Sequence, residues 1–160
     1  MSMIMQWSGV SGEQVAALLT ASSEDLWEWL ESEAGLAHTF DLDKAWHGVH
    51  ATLTGTDWAS DTVLGQAVLG GTEFGEDDGY GPPRHLPSAQ VAEIADALDQ
   101  LGTERFAASI DLALLRRLDI YPSTWDDPAE VTWLTESFEI LRAGYRPFAD
   151  QGLDVVVTLT

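Results

Sequence analysis

The sequence predicts an α/β fold in which helices cover a small central mixed sheet, as the layers of a single domain over residues 1–160. Short apolar segments suited to strands lie near both ends of the chain, at residues 4–7 and 153–159. Three consecutive valines in the second segment require burial on both faces of a strand, so we expect helices on both sides of the sheet. Helical periodicity occupies much of the chain between them, and 160 residues fit one domain.

Two helices are predicted directly after the first strand. Ser11 is followed three residues later by Gln14, which resembles a capping box, and an apolar stripe comes next. Ser22 or Ser23 can cap the second helix, whose acidic first turn suits the positive end of the helix dipole. Gly35 is expected to end this part of the chain.

The middle of the chain is predicted to hold a third helix and a long loop. Asp41 or Asp43 can cap a helix over about residues 44–53. Residues 63–69 are apolar and fit either a helix or a strand. Residues 70–83 are rich in glycine and acidic residues and are expected to form a loop, which is long for a compact domain.

The second half of the chain has the strongest helical signals. A helix is expected over about residues 87–101 and should end at Gly102. Asp127 followed by Pro128 is a helix start, and a stripe of apolar residues at steps of three and four continues beyond Pro147, which should kink or unwind the helix. Further caps are expected at Thr103 and Asp111.

Charge and composition limit the classes of function. The chain has 27 acidic and seven basic residues, a net charge of −20, which should repel nucleic acid and anionic membranes. Basic proteins, cationic ligands and metal ions are the partner classes that this charge allows. A GC-rich genome with ordinary acidic solubility, or adaptation to salt, explains the same composition. The lack of cysteine excludes disulfides and cysteine nucleophiles. Without a signal-like N-terminus or a long apolar run, we expect a cytoplasmic protein without a cofactor.

The first candidate for a functional site is a motif on the third helix. Asp43, Trp46 and His50 are spaced by three and four residues, so they would lie on one helix face. A carboxylate that orients an imidazole beside an aromatic wall suits acid–base chemistry or ligand binding. The alternative is structural: Asp43 caps the helix, Trp46 lies in the core, and His50 binds a buried carbonyl group.

The glycine-rich loop supplies further candidates for the same pocket. Tyr80 lies between two glycines, and Arg84 follows two prolines that would direct it back toward the domain, where it would bind an anion or pair with a local carboxylate. Tyr121 is the remaining pocket candidate. Zinc bound by His50, His85 and an acidic residue is an option, but the sequence matches no metal-binding pattern, so no metal is predicted.

Several motifs occur in order along the chain. They are Leu42-Asp43-Lys44-x-Trp46 with His50, Leu53-Thr54-Gly55, Ala67-Val68-Leu69-Gly70-Gly71, Gly79-Tyr80-Gly81-Pro82, the helix containing Val91, Ile120-Tyr121-Pro122 with Trp125, and the long terminal helix. Together these motifs resemble the bacterial YfbM-like family. That resemblance implies a compact layered α/β fold and carries no activity or cofactor with it. Pro87, where a threonine cap is expected, and Pro147 depart from the family pattern.

Two functional interpretations follow from the sequence. The first is a non-catalytic binding domain, for example an immunity-type inhibitor that covers a basic partner by charge complementarity. The second is an enzyme with a pocket formed by Asp43, His50, Tyr80, Arg84 and Tyr121. An enzyme needs these polar groups to converge on one concave, water-accessible pocket, whereas a binder needs an exposed acidic or aromatic patch.

Overall fold

The two terminal strands form the centre of the sheet. The protein is described by a computed structural model over residues 2–58 and 60–160. The strand order is β2-β1-β5-β4-β3, and every neighbouring pair is antiparallel, so the helix-covered sheet is confirmed while the mixed strand directions are not found. The strands are β1 (Met5–Val10), β2 (Thr39–Asp41), β3 (Thr72–Glu73), β4 (Arg84–Leu86) and β5 (Asp154–Leu159).

Helices cover both faces of the sheet, as the valine run in β5 predicts. Val156 packs with Val15 and Leu26 on one face, whereas Val155 and Val157 belong to the larger core on the other face. This alternation follows from the period of two in a strand. The first face is covered by α1 (Gly12–Leu18) and α2 (Ser23–Glu31), followed by the short α3 (Glu33–Leu36). The second is covered by α4 (Trp46–Thr54), α5 (Val63–Leu69), α6 (Ser88–Ser109), α7 (Leu112–Arg117) and α8 (Ala129–Asp150).

Three helix starts have the side-chain caps that the sequence predicts. The side chains of Ser11, Ser22 and Asp111 each accept a hydrogen bond from the backbone N–H three residues later. Pro87 has no capping side chain, and the start of α6 is instead served by Asp154 of β5, whose Oδ1 accepts from Ser88 N at 3.0 Å. Sequence reasoning could not find this cap because its residue is far away in the chain.

The two long helices largely keep their predicted bounds, including the break at Gly102. The backbone of α6 leaves the helical region at Gly102, where φ is 70°, and a second helical stretch then continues to Ser109. Asp127 accepts from Ala129 N at 2.9 Å at the start of α8, and that helix continues through Pro147 to Asp150 without unwinding. None of the helices among the described residues has the length and apolarity needed to cross a bilayer.

Candidate functional site

A cleft of about 420 Å³ opens at the β3–β4 edge of the sheet. Its apolar lining comes from Met5, Trp58, Leu69, Pro82 and Leu159, and its polar lining includes Glu73, Tyr80 and Arg84. These residues belong to both terminal strands, the end of α5, the hairpin strands β3 and β4, and the loops before α5 and after β3. The cleft thus brings Tyr80 and Arg84 together, as the sequence predicts for two of the pocket candidates.

The carboxyl end of α5 holds the Arg84 guanidinium. Gly70 N donates the last backbone hydrogen bond of α5 to Gln66 O. The carbonyl oxygens of Ala67 and Val68 at this helix end can therefore accept from side-chain donors. Arg84 Nη2 donates to Val68 O at 3.3 Å. Tyr145 Oη donates to Ala67 O at 2.6 Å, and burial raises the pKa of this phenol. The partial negative charge of a helix end favours a cation at this position.

Arg84 has no carboxylate partner within 4.0 Å among the described residues, although the protein is strongly acidic. The predicted alternative that it pairs with a local acid is therefore wrong. Burial lowers the pKa of Arg84, while Tyr145 and Glu73 act in the opposite direction. An arginine remains protonated in such a setting, so the cleft contains a half-buried positive charge without a counter-ion.

The backbone around β3 and β4 brings Arg84 to the cleft. Gly71 has a φ of 98°, and a Cβ atom added there would lie 2.9 Å from the His85 carbonyl oxygen. Only glycine fits this turn without strain, because the position combines a left-handed backbone with a close approach to β4. The turn starts β3, in which Glu73 lies directly opposite Arg84 of β4.

Two aspartates shape the loop that presents Tyr80. Asp77 Oδ1 accepts from the backbone N–H groups of Gly79 and Gly81, at 2.7 and 2.9 Å. Asp78 Oδ2 accepts from Ser23 Oγ and Trp27 Nε1, both at 2.7 Å, so the loop is tied to α2. Both hydrogen bonds lower the pKa of Asp78, and the one from Ser23 has the larger effect. The acidic loop therefore has a structural use, which is to position one wall of the cleft.

Two histidines of α4 hold the opposite wall, formed by Trp58. His47 Nε2 donates to Asp57 O at 2.7 Å, and His50 Nε2 donates to Trp58 O at 2.5 Å. A carbonyl oxygen can only accept, so both imidazoles carry their proton on Nε2. The Trp58 side chain is 56% exposed and packs on the His47 ring, with centroids 4.9 Å apart. The exposed indole is thus held in place from behind.

The third-helix motif is divided by the fold. Asp43 is exposed and begins a 3-10 turn (Asp43–Ala45) rather than capping α4; Asp41 instead accepts from Asp43 N at 2.8 Å. The predicted Asp43 cap is therefore wrong, because the backbone adopts a positive φ of 48° there and the side chain turns outward. His50 is fully buried with a backbone partner, as the structural alternative predicts, and its Nδ1 has no partner among the described residues.

Trp46 and Tyr121 lie behind the cleft, in a separate group. Their rings stack with centroids 6.0 Å apart. Trp46 Nε1 donates to Met3 O and Tyr121 Oη accepts from Met3 N, both at 3.0 Å, so this pair fixes the start of the chain. His85 pairs with Asp154 at 2.7 Å. No group of three His, Asp or Glu side chains suited to a metal ion occurs in the described part of the chain.

Comparison with known proteins places this architecture in a family. Residues 1–158 match the family described as a domain of unknown function, DUF1877. The chain belongs to the DUF1877 family. This DUF1877 chain is 27% identical over 160 residues to Protein YfbM of Escherichia coli (strain K12), an alignment that covers 95% of each protein. The predicted resemblance to the YfbM-like family is thereby confirmed.

The fold of the DUF1877 chain also agrees with that of a solved structure. The crystal structure of YfbM from Escherichia coli, described as a protein of unknown function, is similar with a TM-score of 0.77 and 26% identity. The match covers 98% of this chain and 99% of that one. The predicted layered α/β fold is confirmed by this agreement.

Sequence reasoning missed Trp58 and Glu73 as cleft residues of the DUF1877 chain. Trp58 follows the helix end at Gly55, and a tryptophan in a polar loop was the available signal. Glu73 could not be separated from the other acids of its loop, because the signal that matters is its pairing with Arg84 across two short strands.

Proposed function

We propose that this chain is a non-catalytic binding domain whose Arg84 cleft takes a small ligand with a carboxylate or similar anionic group. The observation that carries the proposal is the half-buried Arg84 guanidinium, which has no carboxylate within 4.0 Å among residues 2–58 and 60–160 although the net charge is −20. A desolvated cation favours an anionic ligand, and a planar guanidinium matches a carboxylate in geometry. The apolar lining and the exposed Trp58 indole suit the remainder of the ligand.

The enzyme interpretation has less support. Its candidate residues are divided between the cleft, the buried face of α4 and the exposed turn at Asp43. His50 uses Nε2 on a backbone carbonyl and has no access to water, so it lacks the position of a general base. Binding requires only the groups that line the cleft.

The test of the proposal is a calorimetric titration with two aromatic carboxylates, 3-phenylpropionate and L-phenylalanine. We expect saturable binding of at least one, weakened about tenfold or more in R84Q, since a charge-assisted pair is lost. R117Q is the matched control: Arg117 is exposed and lies outside the cleft, so the same change of charge should leave binding intact. Equal binding by R84Q and R117Q, or no binding of either compound, would contradict the proposal.

Two further measurements keep that test interpretable. Thermal melts followed by circular dichroism show whether R84Q is folded. W58A provides a second variant at an exposed position of the same cleft, and we expect it to weaken binding through loss of aromatic contact.

Binding of a basic protein is a second candidate function, favoured by the distribution of charge. Lys44 is the single lysine or arginine before Arg84, and the acidic residues of α2 are exposed. Like charges gathered on one surface accelerate the approach of a basic partner at low salt. The wild type should recover a basic protein at low ionic strength that a variant with Glu24, Glu28 and Glu31 changed to glutamine does not. Equal recovery by both proteins would argue against this surface.

A further inference from the structure

We propose that the ligand of the Arg84 cleft is a zwitterion, specifically a free amino acid with a large apolar side chain. This inference rests on the proposed binding function and specifies the chemistry of its ligand. The carboxylate would pair with Arg84, the ammonium group would face Glu73, and the apolar side chain would lie against Trp58 and the neighbouring cleft wall.

Two opposite charges lie next to each other in the cleft. Glu73 and Arg84 are directly opposite across β3 and β4, a geometry that brings Cβ atoms to about 4.5–5.5 Å. Both line the cleft, yet they form no ion pair within 4.0 Å. The guanidinium turns inward to Val68 O, whereas the Glu73 carboxylate is exposed and makes no hydrogen bond to any other described residue. One cleft therefore presents a cation and an anion, and both are available to pair with charges of a ligand.

The net charge of the whole protein also favours a zwitterion. A ligand that carries only a negative charge must approach a surface of net charge −20, and then meets Glu73 beside Arg84. A ligand that carries only a positive charge meets the half-buried Arg84 guanidinium. A zwitterion has no net charge, so it avoids the long-range repulsion and satisfies both local charges.

The rest of the cleft lining is largely apolar and suits an apolar side chain. Met5, Leu69 and Leu159 form apolar lining beside Trp58 and Tyr80. The volume of about 420 Å³ lies within the range of small-molecule sites, roughly 300–1,000 Å³. Aromatic and aliphatic walls beside one pair of opposite charges match the three parts of an apolar amino acid.

Three matched compounds test the inference by calorimetric titration of the wild-type protein. L-Phenylalanine carries both charges, 3-phenylpropionate lacks the ammonium group, and 2-phenylethylamine lacks the carboxylate. We expect L-phenylalanine to bind about tenfold or more tightly than either analogue, because each analogue leaves one charge of the cleft unpaired.

Two glutamate variants identify the partner of the ammonium group. E73Q should remove the advantage of L-phenylalanine over 3-phenylpropionate, while E76Q, an equal change of charge at an exposed loop residue outside the cleft lining, should keep it. If 3-phenylpropionate binds as tightly as L-phenylalanine and still depends on Arg84, the zwitterion is excluded and the anion-binding function stands. If no compound binds, or R84Q binds like the wild type, the proposed function itself fails. Equal binding of 2-phenylethylamine and L-phenylalanine would also overturn the inference.

Discussion

At the scale of single residues, the two α4 histidines explain how a polar loop is held rigid beside the cleft. His47 Nδ1 accepts from Tyr121 N at 3.0 Å while its Nε2 donates to Asp57 O, so the neutral ring links two parts of the chain. His50 makes the equivalent contact to Trp58 O. Burial lowers the pKa of both imidazoles, and the positive charge of Arg84 contributes to the effect at His50.

The lowered histidine pKa values predict a pH dependence of stability. Below pH 6.5 the unfolded chain binds protons that the folded histidines do not, so the free energy of unfolding should fall as pH decreases from 6.5 toward the folded pKa values. Above pH 6.5 this contribution is constant. Each histidine adds a slope of at most about 1.4 kcal/mol per pH unit.

Denaturant melts of the wild type and H50Q between pH 5 and 8 measure this slope. Glutamine retains an N–H donor for Trp58 O but does not titrate, so the slope below pH 6.5 should be smaller in H50Q. H38Q is the control, since His38 is exposed, and it should keep the wild-type slope. An unchanged slope in H50Q would show that His50 is not held neutral by the fold.

At the scale of secondary-structure elements, α6 and α8 pack against each other more extensively than any other two helices of the described residues. Phe138 of α8 is fully buried and stacks on Phe106 of α6, with ring centroids 4.3 Å apart. On the surface of the same pair, Arg142 and Arg146 both bind Asp99 of α6, at 2.8 and 3.0 Å. The hydrogen bond from Arg142 has the largest effect among the contacts that lower the pKa of Asp99. Because these ion pairs lie at the surface and are only partly buried, the apolar contact dominates the stability of the helix pair.

Truncation of Phe138 tests that ranking. F138A should lower the free energy of unfolding by about 3–5 kcal/mol, since it removes a buried ring and leaves a cavity against Phe106. I140A on the same helix is the matched control: Ile140 is 48% exposed, so its loss should stay within about 0.5 kcal/mol. A loss below about 1 kcal/mol in F138A would contradict the packing described for α8.

At the scale of the whole molecule, the sequence specifies the elements better than the site. The terminal strands, the caps at Ser11 and Ser22 and the start of α8 are local signals, and the structure confirms them. The strand β3 has only two residues and pairs with β4 across a loop. It is too short to show the apolar alternation that predicts a strand. An apolar pattern also does not show whether neighbouring strands run parallel or antiparallel, so the sequence could not exclude the mixed sheet that was predicted.

The cleft was only partly predictable for the same physical reason. Tyr80 and Arg84 lie close in sequence, between glycines and prolines that mark a shaped loop. Their partners Met5 and Leu159 belong to the terminal strands, and the pairing of β1, β5 and β4 brings them to Arg84. Trp58 comes from a loop and is placed there by the two α4 histidines. The predicted motif of Asp43, Trp46 and His50 fails at Asp43. Its backbone is left-handed, so the helical spacing of the other two residues does not continue to it.

The whole protein then presents the half-buried Arg84 guanidinium in a cleft of an acidic surface, and the central claim is that a ligand binds there. NMR titration of the ¹⁵N-labelled wild-type protein with L-phenylalanine tests this location most directly. The account predicts saturable shifts concentrated at the Trp58 indole N–H, the Arg84 Nε–H and the backbone amides of Gly71 and Gly81, which all belong to the cleft lining. Shifts centred on the separate cleft at Asp119 and Ser123, or no saturable shift at all, would contradict it.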